Sequence, residues 1–389
     1  MLKIPLRYHL RSLYVRRGAT ALTILGVGAT VAVLTGVLAL EQGFATLFSE
    51  GGRPDVAVMM RPGATNEGDS IFSRERGEAL IKSLEEIAVD GNGQPLAALE
   101  SFLAVRLFKV EGGETNVPIR GVQPGSFAIG GAGLVMDSGR TIEFGTDEVI
   151  VGSSLTSRIQ NCRTGDVIVL NTTPFRVVGS FSADGPASSE IWGDLDRLGQ
   201  ALERRSPSRI LARLRPGTDL DALAERLENH PTAPAKVMGE AEYLSSQTAM
   251  LSIVLTALGG FLALVMGVGA VFTSTNTMLA ALAARSHEIG VLRALGYRPL
   301  GVFLGFLLES LLLGLGGGLV GCLFASFLSG VETGTTNFQT FTEVAFAFRV
   351  TPSVLLSAVT FSLALGLIGG AWPAWRAARL SPTAAMRRG

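Results

Sequence analysis

The stretch ATALTILGVGATVAVLTGVLAL, residues 19–40, is 22 residues long and contains no charged side chain. A helix rises about 1.5 Å per residue, so this run spans roughly 33 Å and is long enough to cross the hydrocarbon core of a bilayer. Residues 243–284 and 350–375 are also uncharged, and residues 299–330 contain a single charge, Glu309. Only 17% of the 389 residues are charged, against about 25% in a typical soluble domain. These features exclude a purely soluble protein and a disordered one.

The first apolar run is predicted to be a retained membrane helix and not a cleaved signal peptide. It is longer than the roughly 7–15 apolar residues of a signal peptide, and no A-x-A cleavage site follows it.

The distribution of charge predicts which side of the membrane each segment occupies. Residues 1–18 contain five basic side chains and residues 376–389 contain four, and neither segment has an acid. Residues 41–242 instead contain 29 acidic and 20 basic side chains. Because cytoplasmic segments next to membrane helices are enriched in Lys and Arg, both termini are expected in the cytoplasm and residues 41–242 outside it.

The sequence therefore predicts a membrane protein with four transmembrane α-helices and a large α/β extracytoplasmic domain between helices 1 and 2. The expected order is an amphipathic cytoplasmic elbow helix at 1–18, transmembrane helix 1 at 19–42, the extracytoplasmic domain at 43–246, transmembrane helix 2 with a cytoplasmic extension at 247–284, a coupling helix and loop at 285–298, transmembrane helix 3 at 299–330, a short external loop at 331–350, transmembrane helix 4 at 351–375 and a cytoplasmic tail at 376–389.

Within the extracytoplasmic domain, apolar periodicity predicts two helices, at 77–88 and 219–229. Strands are predicted at 104–110, 117–122, 148–151, 167–170, 175–181 and 210–214, because these short runs are rich in β-branched residues and are separated by turn residues. We expect residues 50–125 and 205–240 to form one α/β subdomain and residues 130–200 to form a β-rich insert.

Motifs for enzymatic chemistry are absent from the sequence. It contains no G-x-x-x-x-G-K-[ST], H-E-x-x-H, C-x-x-C or G-x-S-x-G, and only three histidines. No catalytic residue, cofactor-binding residue or metal ligand is therefore predicted in this chain, and Cys162 and Cys322 are interpreted as isolated thiols.

Polar and small residues inside the spans are the next candidates for function. Glu309 lies about ten residues past Arg298, roughly 15 Å into the membrane. A carboxylate there is costly, so it either has a function, as a proton acceptor or a contact that changes between states, or stays protonated or bonded to a neighbouring helix. Small residues four positions apart predict close helix packing at Gly28, Ala32, Gly36, Gly314, Gly318, Gly366 and Gly370.

Residues 276–296 give the strongest local pattern. A long helix is expected to leave the membrane, turn at or near Gly290 and continue as a short amphipathic helix in the cytoplasm, where it would dock into a groove of a soluble partner. The alternative is a linker that touches only lipid headgroups. The residues expected to contact the partner are Arg285, Glu288, Ile289, Gly290, Leu292, Arg293 and Leu295.

Several motifs resemble those of ABC-transporter permeases of the MacB/FtsX type. Ser286–Gly296, SHEIGVLRALG, is similar to the family signature R-x-x-E-I-G-[IV]-L-[RK]-A-[LI]-G, and residues 373–387 are similar to its P-A-x-R-A-A-R-x-x-P-x-x-A-L-R ending, with departures at Trp375 and Met386. Residues 148–155, 164–166 and 175–179 resemble parts of its extracytoplasmic domain.

The resemblance implies a permease subunit that works as a dimer, with a second copy or a paralogue, in the bacterial inner membrane. A separate ABC ATPase subunit would bind ATP and Mg, and the permease would transmit the resulting motion to its outer domain. Membrane lipid and a periplasmic adaptor protein are further expected partners, and nucleic acid is not.

Two outputs remain open at this stage. One is export or extraction of a hydrophobic or periplasmic cargo, such as a lipid, lipoprotein, peptide or drug-like molecule. The other is a signalling or scaffold role that activates an extracytoplasmic enzyme such as a cell-wall hydrolase.

Overall fold

The computed structural model describes residues 11, 13–130, 133–336 and 342–380. The elbow helix expected at 1–18 and the tail expected at 376–389 lie largely outside these residues. The chain divides into two compact units. We call the first, built from Met1–Gly43, Ile253–Val331 and Ala347–Gly389, the helical unit, and the second, built from Phe44–Ser252 and Glu332–Phe346, the sheet unit.

Four described helices are long and apolar enough to cross a membrane. They are α1 (Arg17–Gly51), α6 (Glu240–Ala284), α8 (Pro299–Ser326) and α9 (Pro352–Ala378), and the short helix α7 (Ser286–Ala294) lies between α6 and α8. Helix α1 extends nine residues past the predicted end at residue 42, and α6 begins seven residues before the predicted start at 247. Both extensions are helical but more polar than the spans, so an uncharged run does not mark them in the sequence.

The polar residues of α6 hold the spans of the helical unit together. Pro373 lies inside α9 and has no N–H, so it cannot donate to the carbonyl of Gly369 four residues earlier. Thr275 Oγ1 donates to that carbonyl at 2.9 Å. Thr277 Oγ1 accepts from Thr23 Oγ1 of α1 at 2.8 Å. These bonds give hydrogen-bond partners to backbone and hydroxyl groups, which lipid tails cannot provide.

The sheet unit is built on one ten-stranded sheet. Its order is β10-β1-β9-β2-β3-β8-β5-β7-β4, with β6 paired to β7. The strands are β1 (Val56–Met60), β2 (Ala97–Phe108), β3 (Glu114–Val122), β4 (Val135–Gly139), β5 (Glu148–Gly152), β6 (Val167–Leu170), β7 (Thr173–Ser182), β8 (Ile191–Asp194), β9 (Arg209–Arg213) and β10 (Lys236–Gly239).

One sheet continues through the residues expected to form the α/β subdomain and through those expected to form the β-rich insert. Strand β2 is the link: its residues 97–100 pair with β9, and residues 101–108 pair with β3. Strand β3, assigned to the α/β subdomain from the sequence, pairs in parallel with β8 of the insert. Twelve residues make β2 long enough to have different neighbours along its length.

Four short helices cover the sheet: α2 (Arg74–Ser83), α3 (Pro124–Gly130), α4 (Leu195–Ala201) and α5 (Leu220–Glu228). Helix α5 begins at the N-cap Asp219, whose Oδ1 accepts from the backbone of Asp221 and Ala222 at 3.1 Å each. Helix α2 ends five residues before the predicted boundary at 88, because Leu84 is extended and Ile87 forms a bridge with Leu214. The apolar faces of α2 and α5 share one core with strands β1, β2, β9 and β10.

The loop expected at 331–350 is a two-stranded hairpin, β11 (Glu332–Thr336) and β12 (Glu343–Ala347), and its residues 332–346 belong to the sheet unit. Its tip, residues 337–341, lies outside the described residues. The segment between α8 and α9 therefore supplies two further chain connections between the units, in addition to those in α1 and α6.

Candidate functional site

The predicted coupling segment is a short helix that begins at a break in the chain. Helix α6 ends at Ala284, Arg285 leaves the helical conformation with φ −115° and ψ 13°, and α7 starts at Ser286. The turn expected at or near Gly290 is therefore misplaced, because Gly290 is buried in the middle of α7. After α7 the chain reverses at Gly296, whose φ of +92° is a conformation that glycine adopts without strain.

The side chain of Arg285, the residue at the break, contacts α8 and α7. Its Nη1 donates to Glu309 Oε2 of α8 at 3.0 Å, and its guanidinium lies 5.5 Å from the ring centre of Phe306. A weaker contact of 3.7 Å joins Arg285 Nε to Glu288 of α7. The Glu309 side chain is 2% exposed and the Arg285 side chain 11%. The intramembrane carboxylate singled out from the sequence is therefore ion-paired with the segment predicted to couple to a partner.

The predicted contact residues of α7 do not share one face. Ile289 is buried and packs with Met278, Leu282 and Phe306 inside the helical unit. Leu292 and Arg293 are half-buried, whereas Glu288 and Leu295 are exposed. The apolar stripe expected from the sequence is thus divided: Ile289 anchors α7 to its own chain, and the opposite edge is accessible.

The glycines predicted to allow close packing lie mainly between α8 and α9. A Cβ on Gly314 would stand 2.6 Å from the carbonyl oxygen of Ser362 and 3.2 Å from the Cα of Gly366. A Cβ on Gly366 would meet the carbonyl oxygen of Ser310 at 2.8 Å. At four further predicted glycines the neighbour is a side chain: Val320 beside Gly28, Leu328 beside Gly36, Ser362 beside Gly318 and Ser310 beside Gly370. Ala32 is half-buried on α1.

The hairpin is fastened to the sheet unit through one buried carboxylate. Glu343 of β12 accepts from Thr115 Oγ1 at 2.6 Å and from Lys109 Nζ at 2.6 Å, and it also pairs with Arg158. Its side chain is only 10% exposed. Nearby, the backbone N–H of Ala345 donates to Ser189 Oγ at 3.2 Å. The segment between the last two spans is therefore held by charge as well as by packing.

A second group of charges is buried deep in the sheet unit, where three glutamates surround two arginines. Arg120 of β3 contacts Glu67 at 2.6 Å, Glu190 at 2.7 Å and Glu100 at 3.2 Å. Arg209 of β9 contacts Glu100 at 2.7 Å and Glu67 at 2.8 Å. All five side chains are less than 10% exposed. We call these residues the buried charge cluster.

Electrostatic pairing favours the charged forms of Glu67 and Arg120. Burial alone would raise the pKa of Glu67, but the attraction of Arg120 and Arg209 and the hydrogen bonds donated by Arg120 and Tyr243 outweigh it, so its pKa lies below the usual value. Burial opposes the charge on Arg120 in the same way, yet Glu190 and Glu67 raise its pKa well above the usual value. Burial also raises the pKa of Tyr243.

Sequence reasoning missed the buried charge cluster. The signal was present, since Glu100, Arg120 and Arg209 each stand within a strand among apolar neighbours. A charge at such a position is rarely buried unless paired. The partners come from segments far apart in the chain, so their pairing was not readable from spacing.

Comparison with known proteins agrees with this architecture. The MacB-like periplasmic core domain family matches residues 20–230, and the FtsX-like permease C-terminal family matches residues 245–382. The chain belongs to the MacB/FtsX-like family of ABC transporter permeases, and it is a membrane protein with an extracytoplasmic domain between its first two spans.

Three relatives illustrate the range of the family. The macrolide export ATP-binding/permease protein MacB of Hyphomonas neptunium is 27% identical over 97% of this chain and 59% of its own length. The pyoverdine export ATP-binding/permease protein PvdT of Pseudomonas syringae pv. tomato is 26% identical over 97% and 58%. The uncharacterized ABC transporter permease YknZ of Bacillus subtilis is 24% identical over 98% of both chains. The chain thus spans less than two thirds of MacB and PvdT.

Proposed function

We propose that this chain is a permease subunit that converts ATP hydrolysis in a separate ABC ATPase subunit into movement of its extracytoplasmic domain. That movement would drive export or extraction of a hydrophobic or periplasmic cargo. The observation that carries the proposal is the anchoring of α7 by Arg285 to Glu309 within the spans. A partner that displaces the exposed edge of α7 would act directly on α8 through this pair.

The secondary structure supports a mechanical route from this point to the sheet unit. Helices α1 and α6 each continue unbroken past the residues at which the chain passes from one unit to the other, 43–44 and 252–253. A continuous helix transmits a displacement along its axis without a flexible joint. The hairpin fastened by Glu343 gives α8 and α9 connections to the sheet unit of their own.

Nucleotide binding is assigned to the partner. The sequence lacks the G-x-x-x-x-G-K-[ST] loop that cradles phosphates, so ATP and Mg would bind to the ATPase subunit and this chain would need no cofactor. The names of MacB and PvdT combine ATP binding, permease and export, which supports an ATPase partner and an export output. We place the complex in the bacterial inner membrane, with both termini cytoplasmic and two permease copies or paralogues, in contact with lipid and a periplasmic adaptor.

Glu288→Arg tests the docking of the ATPase subunit. Glu288 is 59% exposed on α7, so reversing its charge should weaken the ATPase complex about tenfold or more without unfolding the chain. The ATPase subunit of the proposed complex is co-purified with each variant, and ATP hydrolysis is measured in lipid vesicles. Glu228→Arg is the matched control, an exposed acid of α5 in the sheet unit.

Co-purification and stimulated ATP hydrolysis that are unchanged in Glu288→Arg would refute docking through α7. Recovery of a cell-wall hydrolase on the sheet unit, with no cargo moved, would favour the signalling output over transport.

A further inference from the structure

A cavity of about 260 Å³ lies within the sheet unit beside the buried charge cluster. This volume lies just below the roughly 300 Å³ at which the usual range of small-molecule pockets begins. One part of its wall is aromatic or aliphatic, and another part is formed by the cluster itself. The apolar lining includes Phe48, Phe102, Trp192, Leu211, Leu244 and Val344.

The charges that line the cavity do not balance. The buried charge cluster has three carboxylates and two guanidinium groups, and these are paired with one another. The remaining charged lining residues are Arg53, Asp184 and Glu240. The wall therefore holds five acidic and three basic side chains, a formal excess of two negative charges. An excess of this sign favours a cation.

Two groups in the wall are positioned to receive hydrogen bonds. Gln247 is 5% exposed, and its Nε2 donates to the carbonyl oxygen of Thr65 at 3.3 Å, which fixes the orientation of the amide. Within the described part of the chain, the buried Oε1 of Gln247 has no hydrogen-bond partner. A buried acceptor without a partner is costly, so a donor in the cavity would stabilise it.

Glu240 is the second acceptor. Its Oε2 accepts from the backbone N–H of Arg53 at 3.1 Å. Burial raises the pKa of Glu240, and Arg209 and Arg53 only partly oppose this effect. A carboxyl group in this state gains from an added positive charge. Gln247 and Glu240 lie seven residues apart on α6, so they share one face of the helix.

The aromatic lining is also suited to a cation. The guanidinium of Arg120 already lies 5.4 Å from the ring centre of Phe102, so one face of this wall accommodates a positive charge. Trp192 Nε1 donates to Glu190 at 2.7 Å, which holds the indole ring in place.

We propose that this cavity binds a small organic ammonium ion with an apolar body of about ten non-hydrogen atoms in all. The ammonium group donates to Gln247 Oε1, the carboxyl group of Glu240 adds negative charge to the same cavity wall, and the apolar body packs against the aromatic lining. The site stands on the sheet unit alone and does not depend on the ATPase subunit, so it is tested with the purified full-length chain.

The probe is 3-phenylpropylammonium chloride, titrated by calorimetry into the full chain in detergent. We expect saturable binding near one site per chain, and at least tenfold weaker binding of the uncharged 3-phenylpropanol. Glu240→Gln and Gln247→Leu should each weaken binding about tenfold, because the first removes a negative charge from the cavity wall and the second removes the acceptor for the ammonium group. Glu242→Gln is the matched control: an exposed acid on the same helix that does not line the cavity.

A second readout uses the single tryptophan in the cavity wall. With Trp372→Phe and Trp375→Phe in place, Trp192 is the only tryptophan left of the three in the chain, and its emission should change along the same binding curve. Melting temperatures measured without the probe establish whether each variant is folded. If Gln247→Leu does not fold, the proposal is tested by the affinity of Glu240→Gln alone.

The proposal is overturned by any of three results. These are no saturable heat up to about 1 mM probe, equal binding of the amine and the alcohol, and unchanged affinity in Glu240→Gln with the control also unchanged.

Discussion

Replacing Glu309 by glutamine tests whether the pair with Arg285 holds the coupling segment to the spans. At 3.0 Å and an effective dielectric constant of about 20, two unit charges attract by about 5.5 kcal/mol before desolvation is subtracted. Removing one partner of a buried pair costs about 3–5 kcal/mol, because the other charge stays buried. We therefore expect Glu309→Gln to destabilise the helical unit by about 3–5 kcal/mol.

The double variant Arg285→Gln/Glu309→Gln provides the sharper measurement. It removes both charges together, so its loss of stability should be smaller than the sum of the two single losses, by about 1–3 kcal/mol. Unfolding is followed in detergent through the fluorescence of Trp372 and Trp375, both in α9. Glu228→Gln, an exposed acid of α5 in the sheet unit, serves as the control and should leave the stability of the helical unit unchanged. Strictly additive losses would refute the pairing as a determinant of the position of α7.

Three further predictions concern packing, ionisation and thiol chemistry. Gly314→Ala should lower the melting temperature in detergent by several degrees, since its Cβ would meet backbone atoms of α9. Gly269→Ala is the control and should leave the melting temperature unchanged, because nothing lies within 4 Å of its Cβ. Equal effects of the two substitutions would contradict the close approach of α8 to α9. The folded-state pKa of Glu67 is depressed, so its contribution to stability is complete above its unfolded pKa of about 4.3 and is lost as pH falls further. Glu67→Gln should therefore be less stable than the unmodified chain at pH 7 and should lose less stability on acidification. Parallel curves of stability against pH for the two chains would contradict this. Burial raises the pKa of the Cys162 thiol to about 12, so a thiol reagent should label it only on unfolding, and rapid labelling of the native chain would count against its burial.

The membrane spans were readable from the sequence because each depends on a local property. An uncharged run of more than 20 residues has few alternatives to a membrane helix. The regions 299–330 and 351–375 accordingly lie close to α8 and α9. Several strands of the sheet unit were found for a similar reason, and 167–170 coincides with β6.

Features that depend on long-range contacts were not readable in this way. The break at Arg285 was misplaced to Gly290 because the ion pair that Arg285 makes with Glu309, 24 residues later, leaves no local signal in the sequence. The continuity of the sheet from β9 through β2 to β3 was not predicted, because the change of partner along β2 leaves no mark in its own sequence. The hairpin at 332–347 was taken for a loop because its two strands have only five residues each, and Glu343 is fixed by residues more than 180 positions away.

The central claim is that ATP hydrolysis in another subunit moves the sheet unit of this chain. Its most direct test is a distance measurement between spin labels at Arg205→Cys, an exposed site of the sheet unit, in a Cys322→Ser background. The labels lie on the two permease copies of the complex with the ATPase subunit, reconstituted in lipid. We predict that the distance shifts by several ångström between the nucleotide-free and vanadate-trapped states, and that Glu288→Arg abolishes the shift. An identical distance distribution in both states, while the complex hydrolyses ATP, would contradict the account.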